Sequence, residues 1–209
     1  MHQKQGAMLL KNKKIYIYGA SGHGLVVADI ARACEYDEII FIDDGENEFD
    51  NFESIQSNTG IPIALGVGDN RIRGMLFDIV EDAGFEIVTL VHPSSIISSS
   101  AIIGKGSVIM PNVVVNAKTC VGKGVILNTS CIIEHENNIA NFVHISPNVT
   151  IAGNVRVGSS SHIGIGSNVI QGINIGESSV IGAGSTVVRD IKSFVLCFGT
   201  PCKIVKDIE

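Results

Sequence analysis

Between residues 97 and 187, an aliphatic side chain recurs at every sixth position of the chain. Neither an α-helix, with its period of 3.6, nor an ordinary β-strand, with its period of two, requires such spacing. A six-residue period is typical of the parallel β-helix, in which short strands wind into stacked coils. No insertion interrupts the series, which consists of Ile97, Ile103, Ile109, Val115, Val121, Leu127, Ile133, Ile139, Ile145, Ile151, Val157, Ile163, Val169, Ile175, Ile181 and Val187.

Before residue 93 the apolar positions follow a different pattern, that of alternating strands and helices. Strands are predicted at Lys14–Tyr18, Glu38–Ile42, Ile61–Val67 and Phe85–Val91, and helices at Leu25–Tyr36 and Asp69–Gly84. Asp69 is the expected N-cap of the second helix. The polar, turn-rich stretch Gly45–Thr59 is predicted to be a mobile loop.

These patterns divide the chain into four parts. They are a leader over residues 1–13, an α/β domain over 14–92, a β-helix over 93–190 and a C-terminal tail over 191–209. The α/β part has the layout of half a dinucleotide-binding fold, with a strand, a glycine turn, a helix, and acids at the end of the next strand. About 90 residues do not supply a second half, so a single nucleotide is the better ligand.

The glycine turn reads Gly19-Ala20-Ser21-Gly22-His23-Gly24, which is G-x-x-G-x-G and not the dinucleotide spacing. Glycines let the backbone approach a ligand, and the N–H groups at a helix start attract phosphate. His23 adds a donor beside the helix start. Asp43 and Asp44 suit hydrogen bonds to a ribose or base. A tight turn without a ligand, with solvated loop acids, is the structural alternative.

Six residues per face give 18 per coil, so residues 18 apart should stack at the spacing of neighbouring strands. The residue before each aliphatic position points outward. This outward series is apolar in its early members, Ile102, Val108, Val114, Cys120, Ile126 and Ile132, and polar from Asn138 onward. The early members are expected to be covered by another subunit or by the α/β domain. His144 and His162 should stack on one face.

His135 is the strongest candidate for a general base, because it stands between Glu134 and Glu136. A histidine titrates near neutrality, and an adjacent carboxylate orients its ring and strengthens it as a base. A corner residue satisfied by local hydrogen bonds is the alternative. His135 lies half a coil from His144, so contact with one ligand would need a neighbouring subunit. No metal is expected, since a zinc site needs three or four convergent ligands.

Composition narrows the classes of partner. A net charge near −6 gives no electrostatic case for nucleic acid or an anionic membrane surface. No apolar run approaches the roughly 18 residues of a membrane span, and the leader lacks the features of a signal peptide. The five cysteines include no C-x-x-C pair, which favours reduced thiols. A cytoplasmic location is therefore the default expectation.

Several motifs together resemble one family. They are Y-G-A-S-G-H-G at Tyr18–Gly24, F-I-D-D at Phe41–Asp44, G-V-I-L-N-T-S at Gly124–Ser130, I-E-H-E at Ile133–Glu136, the histidine at His144 and A-G-N-V at Ala152–Val155. From Lys14 to the tail, the chain is similar to the sugar O-/N-acyltransferases. This family includes the sialic acid O-acetyltransferases and the UDP-4-amino-sugar N-acetyltransferases of bacillosamine synthesis, to which the match is closest. Its hexapeptide repeat forms a left-handed β-helix, and its members form homotrimers.

The resemblance implies a role for each matching residue. His135 would take a proton from the amine at C4 of the sugar, and Glu136 would raise its basicity. The nucleotide sugar would be held by Ser21, Gly22, His23, Asp43, Asp44 and Gly68. Acetyl-CoA, the co-substrate, would lie in a groove lined by His144, Gly153, Ile165 and Ala183. Ala183 departs from the glycine of the closest relatives, and Gly45–Thr59 matches nothing in them.

The leading hypothesis is acetyl transfer from acetyl-CoA to the 4-amino group of UDP-4-amino-4,6-dideoxy-N-acetylglucosamine, giving UDP-N,N'-diacetylbacillosamine for glycan biosynthesis and protein glycosylation. O-acetylation of sialic acid and N-acetylation of GDP-perosamine are the enzymatic alternatives. A non-catalytic trimeric scaffold that senses a nucleotide, and a zinc enzyme of the carbonic anhydrase kind on the same fold, are alternatives from other classes.

Overall fold

The computed structural model describes residues 13–208, and the first 12 residues of the expected leader lie outside this range. The N-terminal part is a parallel sheet of three strands, β1 (Lys14–Tyr18), β2 (Glu38–Ile42) and β3 (Ile63–Leu65), in the order β2-β1-β3. Its helices are α1 (Gly22–Ala33), α2 (Phe52–Ile55) and α3 (Asn70–Asp82). The aliphatic residues of β1 are buried between helices, which is why the strand has no polar face.

The remainder is a left-handed parallel β-helix whose coils have three faces. The first face contains Leu90–Val91, Val108–Ile109, Ile126–Leu127, His144–Ile145, His162–Ile163 and Val180–Ile181. The second face contains Ile96–Ile97, Val114–Val115, Ile132–Ile133, Thr150–Ile151, Asn168–Val169 and Thr186–Val187. The third face contains Ile102–Ile103, Cys120–Val121, Asn138–Ile139, Arg156–Val157 and Asn174–Ile175.

Each two-residue strand pairs with the strand 18 residues away, as the period requires. The second residue of each strand is the predicted aliphatic one, and from Ile109 onward these side chains are buried in the interior. Small residues at the corners follow from the stacking of coils. A methyl group added at Gly158 would lie 2.4 Å from the Glu177 nitrogen of the next coil, so a glycine is required there.

The C-terminal tail closes the end of the β-helix. Val195–Phe198 pairs in parallel with Val180–Ile181 and extends the first face, and Lys203–Asp207 pairs back onto it in the antiparallel sense. Val195 and Cys197 are fully buried over the last coil. The tail therefore covers interior apolar residues that an open coil end would expose.

The α/β domain docks on the first face. Val27, Ala28 and Ile30 of α1 belong to the same buried cluster as Val108 and Ile126. The six-step outward series is thus distributed over three faces, so its early members do not form one continuous surface. Val108 and Ile126 are covered by the α/β domain, Val114 and Ile132 are half-buried, and Ile102 and Cys120 are exposed.

Arg73 of α3 holds the two parts together. Its guanidinium is buried and donates to the carbonyl oxygens of Gly124 (2.7 Å) and Phe142 (2.9 Å) on the β-helix, and of Gly68 (3.0 Å) before the helix. Beside it, the Phe77 and Phe142 rings meet edge to face at 5.5 Å. Burial lowers the pKa of Arg73 to about 10, which leaves the group charged at neutral pH.

Two sequence-based predictions about the first part need correction. Phe85–Val91 is not one continuous fourth strand. Ile87 makes a single parallel bridge with Ile63 at the edge of the α/β sheet, whereas Leu90–Val91 pairs with Val108–Ile109 on the first face. The β-helix thus begins at residue 90. The stretch Gly45–Thr59 is not a loop without structure, because α2 lies within it. Phe52 and Ile55 of α2 are buried against the α/β core.

Candidate active site

His135 occupies the turn between the second and third faces, over residues 134–137. Its Nδ1 lies 3.1 Å from Oε2 of Glu136, and both side chains are more than half exposed. Glu136 has a left-handed backbone (φ 60°), as do Lys118 and Asn154 at the equivalent positions of neighbouring coils. The conformation belongs to the solenoid turn, and it places this carboxylate beside the preceding histidine.

Gly153 lies one coil beyond His135, in the same corner. A methyl group on its Cα would lie 2.4 Å from Cε1 and 2.6 Å from Nε2 of His135. Gly153 therefore leaves the space in which the imidazole rests. The structure places this residue with the candidate base, and not with Ile165 and Ala183, with which the resemblance groups it.

A second site lies at the seam between the domains and contains three histidines. The rings of His144 and His162 stack at 4.7 Å between centroids and are parallel within 1°, as the 18-residue spacing predicts. His23, from the first turn of α1, approaches His144 at 6.1 Å. His23 and His144, which the resemblance assigns to different ligands, are therefore neighbours.

Hydrogen bonds fix the two stacked rings. Nε2 of His144 lies 3.1 Å from Nδ2 of Asn128, and the ring also bonds the Gly68 backbone. Nε2 of His162 lies 2.8 Å from Oγ of Ser146. Since an amide nitrogen only donates, His144 accepts through Nε2 and is a neutral imidazole.

Burial governs the ionisation of all three histidines. It lowers the pKa of His144 to about 3, and His162, Arg73 and His23 act in the same direction. The pKa of His23 is lowered to about 4, first by burial and then by the charge of Arg73. The pKa of His162 is lowered by the same two causes. At neutral pH this cluster offers neutral hydrogen-bonding groups and no positive charge.

We expect mild acid to destabilise the fold through these histidines. Their folded pKa values lie below the unfolded value of about 6.5, so the unfolded chain binds more protons as the pH falls from about 6.5 towards 4. His23 and His144 should each remove about 2 kcal/mol of unfolding free energy by pH 5. Chemical denaturation at pH 7.5 and 5.0 measures this, and His144→Gln should reduce the difference. Equal stability at both pH values would contradict it.

The glycine turn follows β1 and packs closely against the end of β3. A methyl group on Gly24 would lie 1.8 Å from the Gly19 carbonyl oxygen, so this glycine is required by the turn itself. Ser21 is the N-cap position of α1 and makes no capping bond, and Ser21 is exposed. A methyl group on Gly22 would meet nothing within 4 Å. Ser21 and Gly22 thus border open space at a helix start.

Asp43 and Asp44 organise the loops around this turn. Asp43 accepts from the Ala20 N–H at 2.8 Å and the Gly45 N–H at 2.9 Å, and these bonds hold its carboxyl pKa below the usual range. Asp44 accepts from the Tyr18 hydroxyl and from the Phe52 N–H at 2.8 Å. Both acids lie at the expected place and anchor Gly45–Thr59. An open cavity of about 190 Å³ lies beside them, lined by Tyr18, Gly19, Asp43, Asp44, Gly45, Val67, Ile72 and Leu76.

Ile165 and Ala183 lie in a different corner, the turns between the first and second faces. They are one coil apart, and the Gly184 N–H bonds the Ile165 carbonyl oxygen at 2.8 Å. Both side chains are exposed. Their turns adjoin the first face, which carries His144.

The three-sided cross-section separates the candidate residues into two groups. The turn with His135 and Gly153 is the corner opposite the first face, where His23, Gly68 and His144 meet. Within one chain, therefore, the candidate base His135 and the seam that contains His23 and His144 face away from each other. Across residues 13–208, no cluster of three or more His, Cys, Asp or Glu side chains is arranged to hold a metal, and no helix could span a membrane.

Sequence reasoning missed several residues. Asn128 and Ser146, the partners of the stacked histidines, each precede their histidine by 16 residues, so the coil length could have found them. Tyr18 begins the Y-G-A-S-G-H-G motif, but nothing in the sequence indicated that its hydroxyl donates to Asp44. Arg73 looked like an ordinary helix residue, because its partners across the seam are backbone carbonyls, which carry no sequence signal.

A left-handed β-helix with a histidine–carboxylate pair in a corner, joined to half a nucleotide-binding fold, is the architecture of a hexapeptide-repeat sugar acyltransferase. Comparison with known proteins agrees. Residues 14–80 match the family described as the PglD N-terminal domain. The UDP-N-acetylbacillosamine N-acetyltransferase of Bacillus subtilis (strain 168) is 35% identical over 113 residues, which is 47% of this chain and 51% of that protein. The match thus spans about half the length of that relative.

Solved structures match over nearly the full length. The acetyltransferase domain of PglB from Neisseria gonorrhoeae is 38% identical, covers 93% of this chain and 100% of its own, and has a TM-score of 0.87. A point mutant of the GDP-perosamine N-acetyltransferase from Caulobacter crescentus, in complex with CoA and GDP-perosamine, is 31% identical with a TM-score of 0.89, covering 93% of this chain and 97% of its own. The chain belongs to the sugar O-/N-acyltransferase family.

Proposed function

We propose that the chain transfers an acetyl group from acetyl-CoA to the amine of a nucleotide-linked amino sugar. The observation that carries this proposal is the His135–Glu136 pair, 3.1 Å apart, on a β-helix attached to a nucleotide-binding half-domain. Relatives over nearly the whole chain are nucleotide-sugar N-acetyltransferases, and one structure contains both CoA and a nucleotide amino sugar.

The chemistry needs one base and a positioned thioester. The Nδ1–H of His135 donates to Glu136, which leaves Nε2 as the acceptor. As the sugar amine attacks the acetyl carbon, the new C–N bond forms and Nε2 takes the proton from nitrogen. The C–S bond then breaks, and the CoA thiolate receives that proton, so charge and atoms balance. Burial raises the pKa of Cys131, and raises that of Cys197 to about 12, so neither thiol suits a covalent route.

A homotrimer is part of the proposal, because the two halves of the site face opposite ways within one chain. The second face lies between the His135 corner and the Ile165 corner. Its early outward residues form an apolar stripe of Ile96, Val114 and Ile132 at 18-residue spacing. Ile96 is 67% exposed, although it is a large aliphatic side chain. Packing second faces around a threefold axis would cover this stripe and bring His135 of one copy towards the groove of the next.

Among acceptors, we favour UDP-4-amino-4,6-dideoxy-N-acetylglucosamine. The curated relative at 35% identity and the match to the PglD N-terminal domain support it. GDP-perosamine is the second candidate, because the Caulobacter crescentus enzyme is 31% identical over almost the full chain. The cytoplasm is the proposed location, in keeping with five unpaired cysteines among residues 13–208.

A substrate panel tests this proposal. We expect release of free CoA thiol only when the UDP-linked 4-amino sugar is supplied with acetyl-CoA, because the α/β domain selects the nucleotide. GDP-perosamine, CMP-sialic acid and free sialic acid serve as competing acceptors. Preference for GDP-perosamine would transfer the assignment to the second candidate. Failure to bind acetyl-CoA at millimolar concentration in calorimetry would contradict an enzymatic role and support a scaffold.

A further inference from the structure

The turn that carries His135 differs from the other solenoid turns in its inward residue. In the turns between residues 104 and 185, the fourth position points into the interior and is a small hydroxyl, thiol or aliphatic residue in every turn but this one. Here it is Asn137, which is only 1% exposed. An amide in an apolar interior is costly unless all of its polar atoms are bonded.

Each polar atom of the Asn137 side chain has a partner. Its Nδ2 donates to the carbonyl oxygen of Glu134 at 2.7 Å, across its own turn. Its Oδ1 accepts from the Val155 N–H of the next coil at 2.7 Å. The Thr119 hydroxyl, one coil earlier, donates to the same Glu134 carbonyl at 2.7 Å. The Asn137 amide and the Thr119 hydroxyl, both buried, thus donate to the carbonyl of Glu134, the residue immediately before His135.

Most other turns are closed less tightly. The exception is the turn over residues 182–185, where the Ser185 hydroxyl donates to the Gly182 carbonyl oxygen at 2.6 Å. The backbone N–H of the fourth residue reaches the carbonyl of the first at 3.4 Å in the Ser107 and Thr119 turns and at 3.1 Å in the Cys131 turn. In the His135 turn, the carbonyl of the first residue, Glu134, instead accepts a shorter hydrogen bond, of 2.7 Å, from the Asn137 side chain. The His135 ring is 58% exposed, bonds Glu136 and lies over Gly153. Its direction therefore depends on the backbone of the turn.

We infer that Asn137, assisted by Thr119, positions the general base by locking the turn over residues 134–137. This inference rests on the proposed function of His135. Asn137 does not touch substrate, so it is a positioning residue. A misplacement of about 1 Å at a reacting group can cost on the order of a hundredfold in rate.

The test variant is Asn137→Thr. Threonine is the native residue at the same position one coil earlier, so the solenoid accepts it. The Thr119 hydroxyl donates to a carbonyl of the next coil and not across its own turn, so a threonine at position 137 should leave Glu134 without the bond from Asn137. The control is Ser107→Val, which also removes two buried hydrogen bonds, to the Gly122 carbonyl (2.9 Å) and from the Val125 N–H (3.0 Å). Ser107 belongs to a corner without a base. Both variants should lose similar thermal stability.

We expect Asn137→Thr to lower kcat by about ten- to a hundredfold, with the KM of both substrates within about threefold. Ser107→Val should keep kcat within about twofold. In a His135→Ala background, Asn137→Thr should have no further effect, because its influence passes through the missing base. A wild-type kcat for Asn137→Thr, or a loss that persists without His135, would overturn the inference.

A crystal structure of Asn137→Thr supplies a readout that does not depend on activity. The 3.1 Å contact between His135 and Glu136 should lengthen or split into alternatives, and an unchanged turn would overturn the inference. If the wild-type protein acetylates no nucleotide amino sugar, the proposed function fails, and the crystal structure still decides whether Asn137 orients His135.

Discussion

Replacing His135 with alanine is expected to lower kcat for acetyl transfer by about a thousandfold. A positioned general base contributes on the order of 10² to 10⁴ in rate. The ring is more than half exposed and lies in a corner, so its removal should leave the fold and the KM values nearly unchanged. His92→Ala is the matched control, because this histidine bonds only Ser94 at the domain junction. Assays of thiol release on both variants measure the effect.

Near-normal turnover of folded His135→Ala would contradict the proposal that His135 is the general base.

Mixed oligomers extend the test to the proposed site shared between two copies. His135→Ala chains keep an intact nucleotide end, and Asp43→Ala chains keep an intact base. If the site combines residues from two copies, mixtures of the inactive chains should regain part of the wild-type rate. Mixed trimers that stay inactive would contradict a site shared between copies.

Replacing Arg73 with methionine should cost about 3 to 5 kcal/mol of stability. Methionine fills the space but leaves the carbonyls of Gly124 and Phe142 buried without donors. Each buried unsatisfied group costs about 1 to 3 kcal/mol. For a chain of this size, the loss corresponds to a fall of about 10 °C in melting temperature. Scanning calorimetry measures the effect.

Arg71→Met supplies the comparison for that experiment. Arg71 lies two residues away on α3 and is exposed, so its removal should change the melting temperature by no more than a degree or two. A second transition in Arg73→Met would show the α/β domain unfolding apart from the β-helix. If Arg73→Met and Arg71→Met melt at the same temperature, the seam does not depend on this guanidinium.

The six-residue period predicted contacts between candidate site residues as well as the strands of the β-helix. The period predicts that the rings of His144 and His162 stack, because the two residues lie 18 positions apart on one face, and the structure shows this stacking. The same 18-residue spacing relates His135 to Gly153 and Thr119 to Asn137, but the sequence analysis did not predict these two pairs. The Asp69 cap was predicted correctly, because a cap is a local interaction between a side chain and the N–H three residues on.

The predictions failed where contacts cross between the two parts of the chain. The six-step series could not tell which early residues face the α/β domain, because successive members point to three different faces. Gly45–Thr59 looked unstructured because its order comes from Asp43 and Asp44, outside the stretch, and from the buried ring of Phe52. The fourth strand was predicted as one piece, whereas Ile87 bridges to the α/β sheet and Leu90–Val91 pairs with the β-helix, because its apolar pattern suits either sheet.

By itself the sequence determined the coil, the order of the two domains and the pairing of His135 with Glu136. These depend on interactions between residues close in the chain or a fixed repeat apart. Only the tertiary structure decided that the candidate base His135 and the seam with His23 and His144 lie on opposite sides of one chain. It also decided that Arg73 joins the domains and that the Asn137 side chain bonds the Glu134 carbonyl in the turn that carries His135. The docking seam is made largely by backbone carbonyls and packed rings, to which no residue pattern corresponds.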